Sequence, residues 1–210
     1  MIKKLVALLL IAICALNTRA GGLESLEVFV KSVKTGRADF TQVVTPPSRD
    51  GQTPRIKIST GTFEFSRPGQ FKFVYKKPFE QTIVADGQTL WLYDVDLNQV
   101  TARKQAQALN STPAALIASA SDLKALQADF TLTAEPEKDG IEWVSAIPKS
   151  KDNQVQSVRI GFRTGALAVL EILDSFGQKS RMSFSAFAAN APVDAATFQF
   201  KPPAGADVVR

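Results

Sequence analysis

Leu23, Leu26, Val30 and Val33 fall near helical spacing with charged residues between them, which predicts an amphipathic helix over about 22–34, ended by Gly36. The period then changes to two. Ala38, Phe40 and Gln42 open a strand over 37–45, and a turn-rich loop, Pro46-Pro47-Ser48-Arg49-Asp50-Gly51, follows it. From 56 to 104 the pattern is β throughout. Ile56 and Ile58 alternate with polar neighbours, as do Phe63 and Phe65, and then Phe71, Phe73 and Tyr75. Pro68-Gly69 suits a type II turn between the two phenylalanine runs. Asp86-Gly87 suits a tight hairpin turn between strands 81–85 and 89–93, and 97–103 supplies the next strand.

Thr112-Pro113 reads as a capped helix start running to about Ala120, and Ser121-Asp122 as the cap of a short helix through Leu126. Strands resume over 129–134, 141–147, 155–163, 167–173 and 179–187, with a last one over 197–201 before Pro202-Pro203. The sum is about eleven short consecutive strands, with helices only near the start and middle. The fold class is mainly β (α+β): one curved antiparallel sheet, closed or nearly closed into a barrel, with helices on its concave side.

The first 20 residues stand apart. Lys3 and Lys4 precede an apolar run from Leu5 to Leu16, and Thr18-Arg19-Ala20 offers small residues where a signal peptidase reads. The expectation is export to the periplasm with cleavage after Ala20, leaving 21–210 as one domain. Ile13 sits where a lipobox wants Gly or Ala, so Cys14 belongs to the apolar run and leaves with it. The remainder has no cysteine, hence no disulfide or thiolate metal site. Lys3, Lys4 and Arg19 are three of the 25 basic residues; the remaining 22 face 20 acidic ones, a net charge of +2. That near balance, without a basic patch interleaved with aromatics, argues against nucleic-acid binding.

The chain contains no histidine, which removes the usual triads and most zinc sites and leaves no cofactor or metal to expect. Asp94 and Asp96 share a strand face but sit where a hairpin ends, so the turn is the simpler reading. The positive signal is aromatic. Phe63, Phe65 and Arg67 lie two apart, so one strand face carries two phenylalanines and then a guanidinium. An arginine on an apolar face needs acceptors, and the free carbonyls of a helix C-terminus are one source. An ordinary barrel core with Arg67 at its rim is the competing reading.

These residues resemble a known family. Phe40-Thr41-Gln42, Gly61-Thr62-Phe63, Arg67-Pro68-Gly69-Gln70-Phe71, Ile83-Val84-Ala85-Asp86-Gly87 and Leu90-Trp91-Leu92-Tyr93-Asp94 are similar to segments of the outer-membrane lipoprotein carrier family, LolA. So are Asp96-Leu97-Asn98-Gln99-Val100, Thr112-Pro113-Ala114, Leu173-Asp174-Ser175-Phe176-Gly177-Gln178 and Phe198-Gln199-Phe200-Lys201-Pro202-Pro203, in order along nearly all of 21–210. The resemblance implies an incomplete barrel of about 11 strands, with a lid of about three helices over a hydrophobic cavity.

The implied activity is that of a monomeric, non-enzymatic periplasmic chaperone. It takes the acylated N-terminus of lipoproteins from an inner-membrane ABC transporter to an outer-membrane receptor. The resemblance assigns lid closing to Arg67, bonded to carbonyls around Ile117 and Ala118 and near Val30. It assigns the cavity to Phe63, Phe65, Phe71, Phe73, Tyr75, Trp91 and Leu116, with Phe71 at the mouth. The loop 46–57 is longer than the family leads one to expect, and Phe73 stands where tryptophan is common. A related lipid- or glycolipid-binding barrel is the first alternative. A periplasmic hydrolase using Asp94, Asp96 or Glu142 is a second, and a structural envelope protein a third.

Overall fold

A computed structural model describes residues 21–48, 53–108, 120, 122–150 and 154–210. Helix α1 (Gly22–Ser32) is amphipathic and buries Leu26, Phe29 and Val30. It ends two residues sooner than the periodicity suggests, because Val33 turns to extended backbone as the C-cap and its N–H bonds to the Phe29 carbonyl. Gly36 does not end the helix. It lies in strand β1 (Thr35–Thr45), where a Cβ would stand 2.5 Å from the Phe65 ring.

Five strands follow β1 as a meander: β2 (Lys57–Ser66), β3 (Gln70–Lys77), β4 (Gln81–Asp86), β5 (Thr89–Asp94) and β6 (Gln99–Lys104). Among the described residues two short helices come next, α2 (Gln105–Ala108) and α3 (Leu123–Asp129), the latter capped by the Asp122 side chain. A second meander follows: β7 (Phe130–Lys138), β8 (Ile141–Pro148), β9 (Val155–Arg163), β10 (Ala166–Asp174) and β11 (Lys179–Ala189). The chain closes with β12 (Asp207–Val209).

The strands form one sheet in the order β12-β6-β5-β4-β3-β2-β1-β11-β10-β9-β8-β7. The β1–β11 pairing joins the two meanders antiparallel, Phe40 opposite Phe184. β12 adds parallel to β6. Among the described residues β12 and β7 are both edges, so the barrel is incomplete, with twelve strands rather than about eleven.

The sequence pattern fails at 197–201, which is not a strand. The Asp194 carboxylate accepts from the Ala196 N–H at 2.9 Å and starts a 3-10 turn over Ala195–Phe198. Pro202 and Pro203 have no N–H to give a ladder. Phe198 and Phe200 do alternate, but they cover the outside of the first meander. Phe198 is fully buried against β3 and β4, and Phe200 meets Trp91 at 5.5 Å.

The core lies on the concave face. There α1 packs across β7, β8 and β9 and its Phe29 meets Phe65, Phe162 and Phe187 at ring separations of 6.3, 5.5 and 5.8 Å. The helix sits close to the sheet because its first residue has no side chain: a Cβ on Gly22 would lie 2.2 Å from the Trp143 carbonyl oxygen.

Candidate functional site

The pleat of β2 places Ser59, Gly61, Phe63 and Phe65 on the concave face. Gly61 is needed there, since a Cβ would stand 2.0 Å from the Val74 carbonyl oxygen and 2.8 Å from the Phe40 ring. Register pairs Phe63 with Phe73 and Phe65 with Phe71, so the two strands present one aromatic surface. Phe63 stacks on Phe73 at 4.4 Å and on Phe65 at 5.5 Å. Phe40 meets Phe73 and Tyr75 edge-on at 5.6 and 5.0 Å. Phe71 is entirely buried within this wall. Tyr75 ends the row, and burial pushes its hydroxyl up to about 12.

Arg67 follows Phe65 at the opposite end of the wall. Its Nε donates to the Val33 carbonyl at 2.9 Å and its Nη1 to the Ala120 carbonyl at 2.9 Å. Its backbone N–H donates to the Lys34 carbonyl at 2.8 Å. The guanidinium lies 5.1 Å from the Phe29 ring and 5.2 Å from the Phe65 ring. Burial brings its pKa down to about 10, which leaves it a cation at neutral pH. One side chain thus ties the sheet both to the exit of α1 and to the segment just before α3.

The acceptor on the α1 side is Val33, the helix C-cap, and not Val30, whose side chain is buried in the core three residues earlier. Val33 lies just past Ser32, the last residue of α1, and its carbonyl is the one that the guanidinium meets. Ile117, Ala118 and Leu116 lie outside the described residues; Ala120 supplies the acceptor that is seen. Phe63, Phe65, Phe71, Phe73 and Tyr75 come together on the concave face. Trp91 does not. It pairs with Val84 on the opposite, outer face, where its Nε1 donates to Asp86 at 2.9 Å, and Leu90 takes the inward position instead.

Residues that the sequence pattern did not mark complete the site. Phe29 fits the apolar stripe of α1 and is the ring pressed on the wall. Gln105 is nearly inaccessible: its Nε2 donates to the Gly69 carbonyl at 2.6 Å and its Oε1 accepts from the Gly87 N–H at 2.9 Å. It therefore ties the Asp86-Gly87 turn to the Arg67–Gly69 turn. Asn190 accepts from the Lys34 N–H at 2.8 Å and donates to the Ser32 carbonyl at 3.0 Å, fixing the exit of α1. A lone Gln or Asn gives no periodic signal by which to find it.

The Asp86 carboxylate organises its turn by accepting from the Gln88 and Thr89 N–H groups at 2.8 and 2.7 Å as well as from Trp91. Desolvation pushes this carboxyl up, but the hydrogen bonds from Thr89, Trp91, Gln88 and its own backbone outweigh it and hold the pKa below its usual value. A depressed folded-state pKa contributes stability above the unfolded value and loses it as pH falls through the folded one. Asp86→Asn should therefore melt below the wild type at neutral pH, with the gap closing below about pH 4. Thermal unfolding of both proteins from pH 7 to pH 3 checks this.

At the Tyr75 end the concave face turns polar. Gln42, Ser59, Tyr75 and Gln81 line a cavity of about 350 Å³ that Asp94 and Asp96 also border. Gln42 and Ser180 line a neighbouring one of about 250 Å³. Asp94 accepts from the Leu97 N–H at 3.1 Å as a turn residue. Glu142, across the sheet, accepts a hydrogen bond from the Ser25 hydroxyl of α1.

Residues 31–201 match the family described as outer membrane lipoprotein carrier protein LolA. A protein of Albidiferax ferrireducens named outer-membrane lipoprotein carrier protein is 72% identical over 195 residues, 91% of this chain and 92% of that protein. One of the same name from Methylibium petroleiphilum is 53% identical, covering 90% of each. The chain belongs to the LolA family. Among solved structures, an uncharacterized conserved protein from Thermus thermophilus aligns with a TM-score of 0.53 at 12% identity, covering 90% of this chain and 96% of that one, which is a likeness of fold. In this LolA-family chain Arg67 joins the aromatic wall to the exit of α1 and to the Ala120 carbonyl.

Proposed function

We propose that this chain is a periplasmic carrier that holds the acylated N-terminus of lipoproteins against the wall of Phe63, Phe65, Phe71 and Phe73. It takes them from an inner-membrane ABC transporter and gives them to an outer-membrane receptor. The observation that carries this reading is Arg67: a cation set on an aromatic wall and bonded to the backbone carbonyls of Val33 and Ala120. In the closed state the space an acyl chain would take is filled by Leu26, Phe29 and Val30 of α1. The names and identities of the relatives support the same reading. Cleavage after Ala20 would leave a chain free of either membrane.

Energetics explain why a latch helps. Each buried methylene contributes about 0.8 kcal/mol, and a triacylated cargo carries on the order of 40 of them. Full burial would exceed the ceiling of roughly 20 kcal/mol for non-covalent affinity, and a carrier must also release. Loading has to lift α1 off the wall and break charged hydrogen bonds of about 1.5–3 kcal/mol each. That opposing term leaves the cargo held weakly enough to pass on. The test is to add purified residues 21–210 to spheroplasts. Release of lipoproteins as soluble one-to-one complexes is the expected result; no release at any concentration contradicts the proposal.

A further inference from the structure

Arg67 carries five N–H donors. Nε and Nη1 are bonded to lid carbonyls, but Nη2 is buried and has no hydrogen-bond partner among the described residues. A buried charged donor without an acceptor is destabilising, and native structures rarely keep one without a reason. The neighbours offer no relief. The guanidinium lies over the Phe29 and Phe65 rings, whose faces attract the charge but take the place of an oxygen.

Opening makes the need larger. When α1 and the Ala120 segment lift, Nε and Nη1 lose their acceptors as well, and the cation is left beside phenylalanine rings and incoming hydrocarbon. An acylated N-terminus brings few oxygens into that space. Its acceptors are the two ester carbonyls of the diacylglyceryl group and the amide carbonyl of any third chain. Arg67 stands at the end of the wall, two residues past Phe65 and just beyond β2, so chains lying on the phenylalanines with their polar junction toward this end bring it within reach.

We propose that Arg67 is also a cargo-recognising residue, whose guanidinium passes from the lid carbonyls to an ester carbonyl of the diacylglyceryl group, with Nη2 the donor already free for it. This rests on the carrier reading and deepens it. Closed, the side chain bonds the lid; loaded, it bonds the cargo. The free donor keeps the closed state from being too stable, and the exchange of acceptors keeps the cation hydrogen-bonded in both.

The test compares two synthetic lipopeptides on purified residues 21–210. One carries two ester-linked palmitoyl chains; the other is its ether-linked hexadecyl analogue, equal in hydrocarbon but lacking the carbonyls. Affinities come from competition against a fluorescent diacyl lipopeptide. The ester form should bind roughly tenfold to a hundredfold more tightly to the wild type, and the ratio should fall to near one in Arg67→Leu. Equal binding of both lipids to the wild type overturns the proposal while leaving the carrier intact, and needs no variant to fold. A preserved ratio in Arg67→Leu overturns the assignment to Arg67. Binding of neither lipid overturns the carrier reading itself, and this proposal with it.

Discussion

Arg67→Leu should load cargo and fail to hand it on. Leucine keeps the apolar contact with Phe29 and Phe65 but gives nothing to the Val33 and Ala120 carbonyls. Losing even one such bond shifts the closed-to-open ratio by roughly tenfold to a hundredfold, and two are lost. The variant also forgoes any bond to the cargo, but that single loss is smaller than the loss of both lid bonds, so retention wins. Global stability should change little, because replacing a buried cation with an apolar side chain also removes its desolvation penalty. Transfer of labelled lipoprotein from the soluble complex to outer-membrane vesicles should slow at least about tenfold, with thermal unfolding near that of the wild type. Transfer at the wild-type rate would show that the latch does not set release.

Phe65→Ala should do the opposite: it should damage the fold first. The ring is wholly inaccessible, contacts the rings of Phe29, Phe63 and Phe187, and fills the space left by Gly36. Removing a phenylalanine from such a site destabilises by about 3–5 kcal/mol, part of it from the cavity left behind. Urea unfolding should show this as a lower midpoint. Phe176→Ala is the control, since that ring is 77% exposed and should change stability by less than about 0.5 kcal/mol. Equal effects from the two substitutions would mean that the aromatic wall is not the core.

The parts of the fold most legible in the sequence were those with a clean period. Strand β9 spans 155–163 as the alternation indicates, and β8, β10 and β11 agree to within about two residues at each end. Orientation was harder to read. Ile56 and Ile58 look like a core pair but are more than half exposed, while Ser59 is buried. The reason is parity: Ser59 shares the face of Gly61, Phe63 and Phe65, and one strand cannot turn both sets inward. Trp91 follows the same rule, because its neighbour Leu90 takes the concave position. Phe198 and Phe200 alternate as a strand would, yet they serve as an outer cover. That choice depends on Val84 and Trp91 being there to be covered, which no local pattern reveals.

In the site, Arg67 was legible because a charge on an apolar face demands an explanation. Its acceptors were less so. Which carbonyl meets the guanidinium depends on how the chain leaves α1, where Asn190, far along the chain, holds Ser32 and Lys34. Gln105 joins two turns that the sequence separates by 18 residues, and only the sheet brings them together.

The central claim is that α1 is a lid latched by Arg67 over a wall that receives acyl chains. The distance between α1 and the outer face of the sheet tests it most directly. Val28 and Asp39 are both exposed, and residues 21–210 contain no cysteine. Spin labels at Val28→Cys and Asp39→Cys therefore report this distance alone. Without cargo the distribution should be narrow. Adding a diacyl lipopeptide should shift it to longer distances, and Arg67→Leu should show the longer population with no lipid present. The same narrow distribution in all three samples would contradict the account.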